Sequence, residues 1–218
     1  MTYTEFIRIY LEQQEPGVPI YTSKIADDLA ADFGIDKKKA ASVTAVAVKC
    51  IMDNGDLPDL RRFQKGIYYR TVVTPLGEAG INREKLISYK YLFPDKGYET
   101  GLHLLHLMGL TTQIPAEHLI ATNAAKNCVR YDRKLGVSIC PPKAPINAQN
   151  KPYLQTLDVL ELLDKAPINV QNPYTILANH IRLNRLQYEI LLYYAYKCYN
   201  RATIIRLAHT ACQKEATN

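Results

Sequence analysis

The stretch DKKKAASVTAVAVKCIMDNGDLPDLRRFQKGIYYR, residues 36–70, decides the fold of the first part of the chain. Asp36 is a typical N-cap residue and Asn54-Gly55 is a typical helix end, so a helix is predicted from about Lys37 to Asp53. Gln64-Lys65-Gly66 follows between two short apolar runs, which predicts a β-hairpin. The side of the helix that faces the core is expected to carry Ala40, Val43, Val46, Ala47, Cys50 and Ile51.

Two further helices are predicted upstream of this stretch. The first covers Tyr3 to Gln13, where Phe6, Ile7, Tyr10 and Leu11 recur at helical spacing. The second is SKIADDLAADFG, which Thr22 or Ser23 caps and Gly34 ends, and a short extended segment separates the two. Helix, short strand, helix, helix and hairpin is the order of a winged helix-turn-helix, which we predict for residues 1–73.

The charge of this first part is divided along the chain. Residues 1–35 hold two basic and six acidic groups, whereas residues 36–70 hold eight basic and four acidic groups. A module with one basic side is suited to a polyanion, so we predict binding to double-stranded DNA. The alternative is a protein–protein module whose lysine-rich helix start is merely solvated. The candidate DNA-binding residues are Lys37, Lys38, Lys39, Ser42 and Lys49 on the helix, and Arg61, Arg62 and Lys65 on the hairpin.

The remaining residues, 74–218, predict a mixed α/β domain with a helical end, so the fold class of the whole chain is α+β. Tyrosines in the closing helical region alternate with basic residues, a composition that is common at protein interfaces. A core helix pair with a basic outer face is the alternative. The predicted elements are a helix at 83–93, a strand at 116–123, a strand pair around Arg133-Lys134, a helix within 153–166, and a helical region from Asn172-Pro173 to about Lys214.

His103 and His106 are the candidate metal or catalytic residues, because they lie three apart on a predicted helix. A catalytic zinc site needs a third ligand and an activating glutamate in a recognised pattern, and only Leu104 and Leu105 lie between them. No phosphate-binding loop, nucleophile elbow or paired-carboxylate motif occurs in the sequence. We therefore expect no catalytic residue, no metal, no cofactor and no enzymatic activity, with the two histidines packing or hydrogen-bonding around a helix and turn.

The five cysteines are odd in number and widely spaced, which favours reduced thiols and a cytoplasmic location. The longest apolar stretch near the end, ILLYYAY, is too short to cross a bilayer, so no membrane association is expected. The net charge is +6.

The stretch GYETGLHLLHLMGLTTQIP, residues 97–115, resembles a family signature. It is similar to the segment "GY-x-(S/T)-G … GLTTQ-x-P" of the AbiE-type antitoxins of bacterial type IV toxin–antitoxin systems. Upstream, Asn54-Gly55-Asp56-Leu57 followed by Lys65-Gly66-Ile67-Tyr68-Tyr69 is similar to the "G-x-L … (R/K)-G-x-Y" wing of that family. The resemblance covers about residues 5–140.

This resemblance implies an antitoxin that represses its own operon by binding inverted repeats through the winged helix. It also implies that residues 74–218 counteract a nucleotidyltransferase-like toxin, without a stable complex being assumed. Arg182, Arg185 and Arg201 are the candidate antitoxin surface. The alternative function is a transcriptional regulator whose second domain binds a small molecule or dimerises.

Overall fold

The structure is a computed structural model that describes residues 1–116 and 118–213. It is a mixed α+β fold with two compact units, unit 1 from Met1 to Leu86 and unit 2 from Ile87 onward. The expected strand at 116–123 includes Glu117, and the expected helical end includes Lys214; both residues lie outside the described part. Within that part, no helix combines the length and the apolar character needed to cross a membrane.

Unit 1 begins with three helices, and the sequence identifies some of the capping residues at which they begin or end. The helices are α1 (Tyr3–Glu12), α2 (Thr22–Phe33) and α3 (Lys37–Asn54). The Asp36 side chain accepts hydrogen bonds from the first amides of α3, and Gly34 and Gly55 end α2 and α3 in the left-handed conformation. The expected cap of α2 is wrong. Tyr21 is its N-cap residue, and the Thr22 hydroxyl donates instead to the carbonyl oxygen of Gly66.

The core face of α3 differs from the expected one. Val46 is 60% exposed and Cys50 is also exposed, whereas Thr44 and Val48 are fully buried. The buried residues Ala40, Thr44, Ala47, Val48 and Ile51 recur at intervals of three and four, which places them on one narrow side of the helix. Thr44 is fully buried on this face although its side chain is polar. Helical periodicity together with hydrophobicity favours Val46 as a core residue, and this prediction is wrong.

A three-stranded antiparallel sheet completes the first core. Its strands are β1 (Ile20–Tyr21), β2 (Leu60–Gln64) and β3 (Ile67–Arg70), in the order β1-β3-β2. The turn between β2 and β3 is Lys65-Gly66, and Gly66 has a φ of 79°, a conformation that favours glycine. Arg61 pairs with Tyr69 and Arg62 with Tyr68. Since successive strand residues point to opposite faces, the two arginines face opposite sides of the hairpin.

A second hairpin extends unit 1 beyond residue 73, where the sequence suggested a boundary. It consists of β4 (Val73–Thr74) and β5 (Gly77–Glu78). The Thr71 hydroxyl donates to the Ala79 carbonyl at 2.8 Å, and the Asn82 amide donates to the Gly17 carbonyl at 2.8 Å. The Thr71 bond closes the base of this hairpin, and the Asn82 bond attaches the end of the segment to the rest of unit 1. The Pro75-Leu76 break is therefore the turn of a hairpin.

Unit 2 combines one sheet with a group of helices. The sheet has the order β6-β7-β9-β8, in which β7 and β9 are parallel and the other neighbours antiparallel. Residues 97–100 form a strand, so the helix expected for the stretch 97–115 begins only at Gly101. The short helix α4 (Arg83–Ile87) spans the boundary between the two units. The elements of unit 2 are a π-helical segment (Ser88–Leu92), β6 (Gly97–Thr100), α5 (Gly101–Leu107), β7 (His118–Thr122), β8 (Arg130–Asp132), β9 (Val137–Cys140), α6 (Lys151–Leu162), α7 (Pro173–Leu183), α8 (Tyr188–Cys198) and α9 (Arg201–Gln213).

The core of unit 2 contains a buried carboxyl group among hydroxyls. Asp158 on α6 accepts hydrogen bonds from the Tyr98 hydroxyl at 3.0 Å and the Thr100 hydroxyl at 2.9 Å, and the Tyr199 hydroxyl lies 2.6 Å from its other oxygen. The Tyr199 oxygen also lies 3.1 Å from the carbonyl oxygen of Leu154, so its one proton is donated either to Asp158 or to Leu154. Burial raises the pKa of Asp158, although the three hydroxyl partners lower it in part. These hydrogen bonds around Asp158 link β6, α6 and the end of α8.

Gly97 is required by close backbone packing. A Cβ at this position would lie 2.5 Å from the Ala121 carbonyl oxygen and 2.9 Å from the Thr122 Cβ, and closer still to the Tyr91 carbonyl oxygen. The neighbours are mainly backbone atoms, which cannot rotate away. We expect Gly97→Ala to destabilise the protein by about 2 to 3 kcal/mol, as overpacking of a closed core does. Thermal unfolding of the full chain measures this. Gly109→Ala, where a Cβ meets nothing within 4 Å but φ is 71°, is the control and should cost less.

Candidate nucleic-acid interface

A basic groove lies in unit 1 between the outer side of α3 and the β2–β3 hairpin. Its volume is about 420 Å³, and Lys49, Arg62 and Lys65 contribute three positive charges to its walls. Asp53 contributes one negative charge at the same place. The other lining residues are uncharged: Thr22, Ala45, Met52, Gly66 and Tyr68. The structure thus brings one candidate residue of α3 together with two from the hairpin.

The outer side of α3 is accessible along its length. Lys38, Ser42 and Lys49 are exposed, and their spacing of four and seven residues places them on one side of the helix. Ala41 and Ala45 beside them are exposed as well, so no large side chain covers the helix backbone there. A side of this type can approach a groove of DNA closely while lysine and serine side chains reach phosphates or base edges.

The lysines at the start of α3 are exposed, and one of them has an acidic neighbour. The Lys37 ammonium lies 3.6 Å from the Asp27 carboxylate on α2, with both side chains mostly in solvent. Such a surface ion pair contributes little to stability and does not hold the lysine in place. The backbone amides of Lys38 and Lys39 already donate to the Asp36 side chain. Their side chains, and not these amides, remain available for an anion.

Arg61 has a structural role. Its guanidinium donates to both Glu78 carboxylate oxygens, at 2.7 and 3.3 Å, and to the Pro58 carbonyl oxygen at 2.6 Å. These contacts join β2 to the β4–β5 hairpin. Arg62, one residue later, points to the other face and into the basic groove. The two arginines are adjacent in the sequence, and only the strand register gives them different surroundings.

The three candidate arginines of unit 2 are all exposed but lie on different segments. Arg182 is in the last turn of α7, Arg185 follows that helix with a φ of 52°, and Arg201 begins α9. Arg206, which belongs to the same basic and tyrosine-rich region, is buried. It donates to the Leu160 carbonyl oxygen at 2.8 Å and pairs with Asp164, so it stabilises the packing of α9 on α6.

A second basic cavity in unit 2 was not predicted. It has a volume of about 440 Å³ and is lined by Lys90, Tyr91, Arg130, Tyr131, Asp132, Arg133 and Lys134. Burial would raise the pKa of Asp132, but hydrogen bonds from Lys90 and Tyr91, each of 2.7 Å, outweigh it and lower this pKa to about 2. Asp132 therefore stays ionised and holds Lys90 at the cavity wall. The basic run from Arg130 to Lys134 was the available signal, but it was interpreted only as part of a strand pair.

The two histidines of α5 have different surroundings and do not form a pair. The His106 Nδ1 lies 3.3 Å from the Thr111 carbonyl oxygen, which is a local structural contact. The His103 Nε2 lies 3.3 Å from a Glu99 carboxylate oxygen, and its ring stacks on His118 with 4.0 Å between the centroids. The polar turn after α5 is held by Asn169, which accepts hydrogen bonds from Thr111 and Thr112.

No family model matches the chain, and no curated protein matches it. Among solved structures, the chain is similar to the crystal structure of the RV2827C protein from Mycobacterium tuberculosis. The TM-score is 0.46 at 14% sequence identity, and the match covers 98% of this chain and 77% of that chain.

Proposed function

We propose that unit 1 is a winged helix-turn-helix that binds double-stranded DNA. The observation that carries this proposal is the basic groove, in which Lys49 of α3 and Arg62 and Lys65 of the hairpin line the same cavity. In a winged helix-turn-helix, the recognition helix enters the major groove while the wing contacts the backbone. Here α3 corresponds to the recognition helix and the β2–β3 hairpin to the wing.

The chemistry of the groove suits phosphates. Arginine and lysine side chains that neutralise phosphates release counterions from the duplex, which makes binding favourable at low salt. Lys38 and Ser42 extend the same exposed side of α3 towards its N-terminal end. We therefore assign Lys49, Arg62 and Lys65 to backbone contacts, and Lys38 and Ser42 to the part of α3 that approaches base edges.

For the whole chain, we propose an antitoxin that represses its own promoter and counteracts a nucleotidyltransferase-like toxin. The support is the resemblance of residues 97–115 and of the wing to AbiE-type antitoxins, together with the exposed basic groups of unit 2. This role is not enzymatic and needs no cofactor, and it places the protein in the cytoplasm with the DNA. The five cysteines are free thiols, which is compatible with a reducing compartment.

The antitoxin role predicts growth rescue. Co-expression of the chain with the product of the adjacent gene should restore growth if that product is the toxin. Changing Arg182, Arg185 and Arg201 together to glutamate should abolish rescue, because the charge of the proposed surface is reversed. Exposed substitutions of this kind cost about 0.5 kcal/mol or less each, so the melting temperature should stay nearly unchanged.

A matched charge reversal elsewhere on unit 2 provides the control. Lys126, Arg133 and Lys134 are candidates for that triple change, since they are exposed and lie outside the proposed surface. Rescue by the arginine variant at the level of the wild-type chain would remove these arginines from the mechanism. An adjacent product that has no effect on growth would contradict the antitoxin role itself.

The second cavity favours one alternative function. Lys90, Arg130, Arg133 and Lys134 surround a space large enough for a small anion, as a regulator with an anionic effector would require. In that case the chain would be a transcriptional regulator without a toxin. A phosphate-bearing metabolite that changes promoter affinity in the absence of any toxin would support this alternative.

A further inference from the structure

Three metal-ligating side chains of unit 2 meet at one edge of its sheet. Glu99 belongs to β6, His103 to the first turn of α5, and His118 is the first residue of β7. Each residue offers one ligand atom, and these atoms all lie within 4.8 Å of one another. The cluster is thus assembled from three elements. The pairing of β6 with β7 brings them together, and the sequence alone does not indicate it.

We propose that Glu99, His103 and His118 bind one divalent transition-metal ion, and that this ion is Zn²⁺. Two imidazoles and one carboxylate are a ligand set that zinc accepts in three-ligand sites with an open fourth position. Calcium and magnesium are disfavoured because they prefer oxygen ligands. His118 is exposed, so the open fourth position would face solvent.

The backbone around the cluster fixes two of the three ligands. Gly101 has a φ of 74° and turns the chain sharply from β6 into α5, so that Glu99 and His103 meet on the same side. The Glu99 carbonyl accepts a hydrogen bond from Gln155 of α6 at 3.2 Å, which anchors the end of β6 to the core. The Glu99 and His103 side chains are 28% and 18% exposed. The backbone and the partial burial therefore restrict the positions of the Glu99 and His103 side chains before any ion binds.

Closing the site needs movement of side chains only. In a tetrahedral zinc site, ligand atoms at about 2.0 to 2.1 Å from the metal lie about 3.3 Å apart. The Glu99 oxygen and His103 Nε2 are already 3.3 Å apart. The third ligand, His118, must therefore move closer to the other two. Its exposed ring stacks on His103 at an interplanar angle of 26°, and rotation of this ring would bring a nitrogen to the third ligand position. Zinc would then link α5 to the first residue of β7.

Calorimetric titration of the metal-free full-length chain with Zn²⁺ tests this site. We expect one ion per chain and a melting temperature that rises with zinc concentration, since a ligand of the folded state stabilises it. His118→Gln and Glu99→Gln should each weaken binding by about a hundredfold or more, because even an outer-shell partner of a metal ligand accounts for about 10- to 100-fold. His209→Gln, which removes an exposed histidine outside the cluster, should leave binding unchanged.

Two results would overturn the proposal. One is the lack of saturable zinc binding by the wild-type chain. The other is binding of equal strength in His118→Gln, which would assign the ion to other ligands such as the free cysteines. Titration with Co²⁺ separates these cases, because thiolate ligands give a charge-transfer absorption that imidazole and carboxylate ligands do not. The site is independent of the basic groove, so its failure leaves the DNA-binding proposal unaffected.

Discussion

Replacing Lys49, Arg62 and Lys65 together by alanine is expected to weaken binding of promoter DNA by the full chain about a hundredfold at 0.15 M salt. Each of the three side chains lines the basic groove, and each is assigned to one phosphate. A charge-assisted contact contributes at least about 1 kcal/mol, and 1.4 kcal/mol corresponds to a tenfold change in affinity. Fluorescence anisotropy with a labelled duplex from the promoter of the protein's own gene measures the loss.

The salt dependence gives a second quantity from the same experiment. Loss of three phosphate contacts should reduce the slope of log K against log salt by about three units. Arg8, Arg83 and Lys85 provide a matched control, because their replacement by alanine removes the same charge from exposed positions outside the groove. Equal losses in the two triple variants would mean that general charge, and not the groove, determines binding.

Asp158→Ala is expected to destabilise the protein by about 3 to 5 kcal/mol, the largest loss of stability predicted for a single substitution. It leaves the buried hydroxyls of Tyr98 and Thr100 without their acceptor and opens a cavity beside Tyr199. A buried group without its partner costs about 1 to 3 kcal/mol, and several such groups are affected together. Chemical denaturation of the full chain at neutral pH provides the free energy of unfolding.

Asp158→Asn should behave differently, because an amide satisfies the same partners without a charge. Its oxygen can accept from Tyr98 and Thr100, and its amino group can donate to the Tyr199 oxygen while Tyr199 donates to Leu154. We expect stability at neutral pH equal to or above that of the wild-type chain. If Asp158→Asn is as unstable as Asp158→Ala, the carboxylate charge itself is required and this account of the network is wrong.

The pH dependence follows from the direction of the pKa shift. Burial raises the pKa of Asp158 above the value of about 3.9 that the unfolded chain has. A group with a raised folded-state pKa contributes most to stability below its unfolded pKa, and this contribution is lost as pH rises through the folded pKa. The wild-type chain should therefore lose stability relative to Asp158→Asn as the pH increases above about 4. If the difference in the free energy of unfolding between the wild-type chain and Asp158→Asn stays constant between pH 4 and 8, the pKa of Asp158 is not raised.

The sequence was sufficient for the elements whose ends carry local signals. Asp36, Gly55 and Lys65-Gly66 located α3 and the β2–β3 hairpin because caps and turns depend on a few neighbouring residues. The strands β7, β8 and β9 and the start of α7 at Asn172-Pro173 were located for the same reason. Basic residues near these elements then indicated the groove.

Features that depend on tertiary contacts could not be predicted in this way. Val46 is as apolar as a core residue, yet α1 and α2 pack on the side of α3 that carries Val48, which leaves Val46 exposed. Arg61 and Arg62 are adjacent in sequence, and only the strand register shows that one contacts Glu78 while the other lines the groove. Glu99 and His118 meet through the pairing of β6 with β7, which no local pattern encodes.

Hydrogen–deuterium exchange of the full chain, with and without a duplex from its own promoter, tests the central claim most directly. If α3 and the β2–β3 hairpin contact DNA, amides of residues 37–49 and 60–66 should exchange more slowly in the complex. The Lys49, Arg62 and Lys65 variant should show no such protection at the same concentrations. A complex in which these two segments exchange as in the free protein, with protection confined to other parts of the chain, would contradict the assignment of unit 1 as the DNA-binding element.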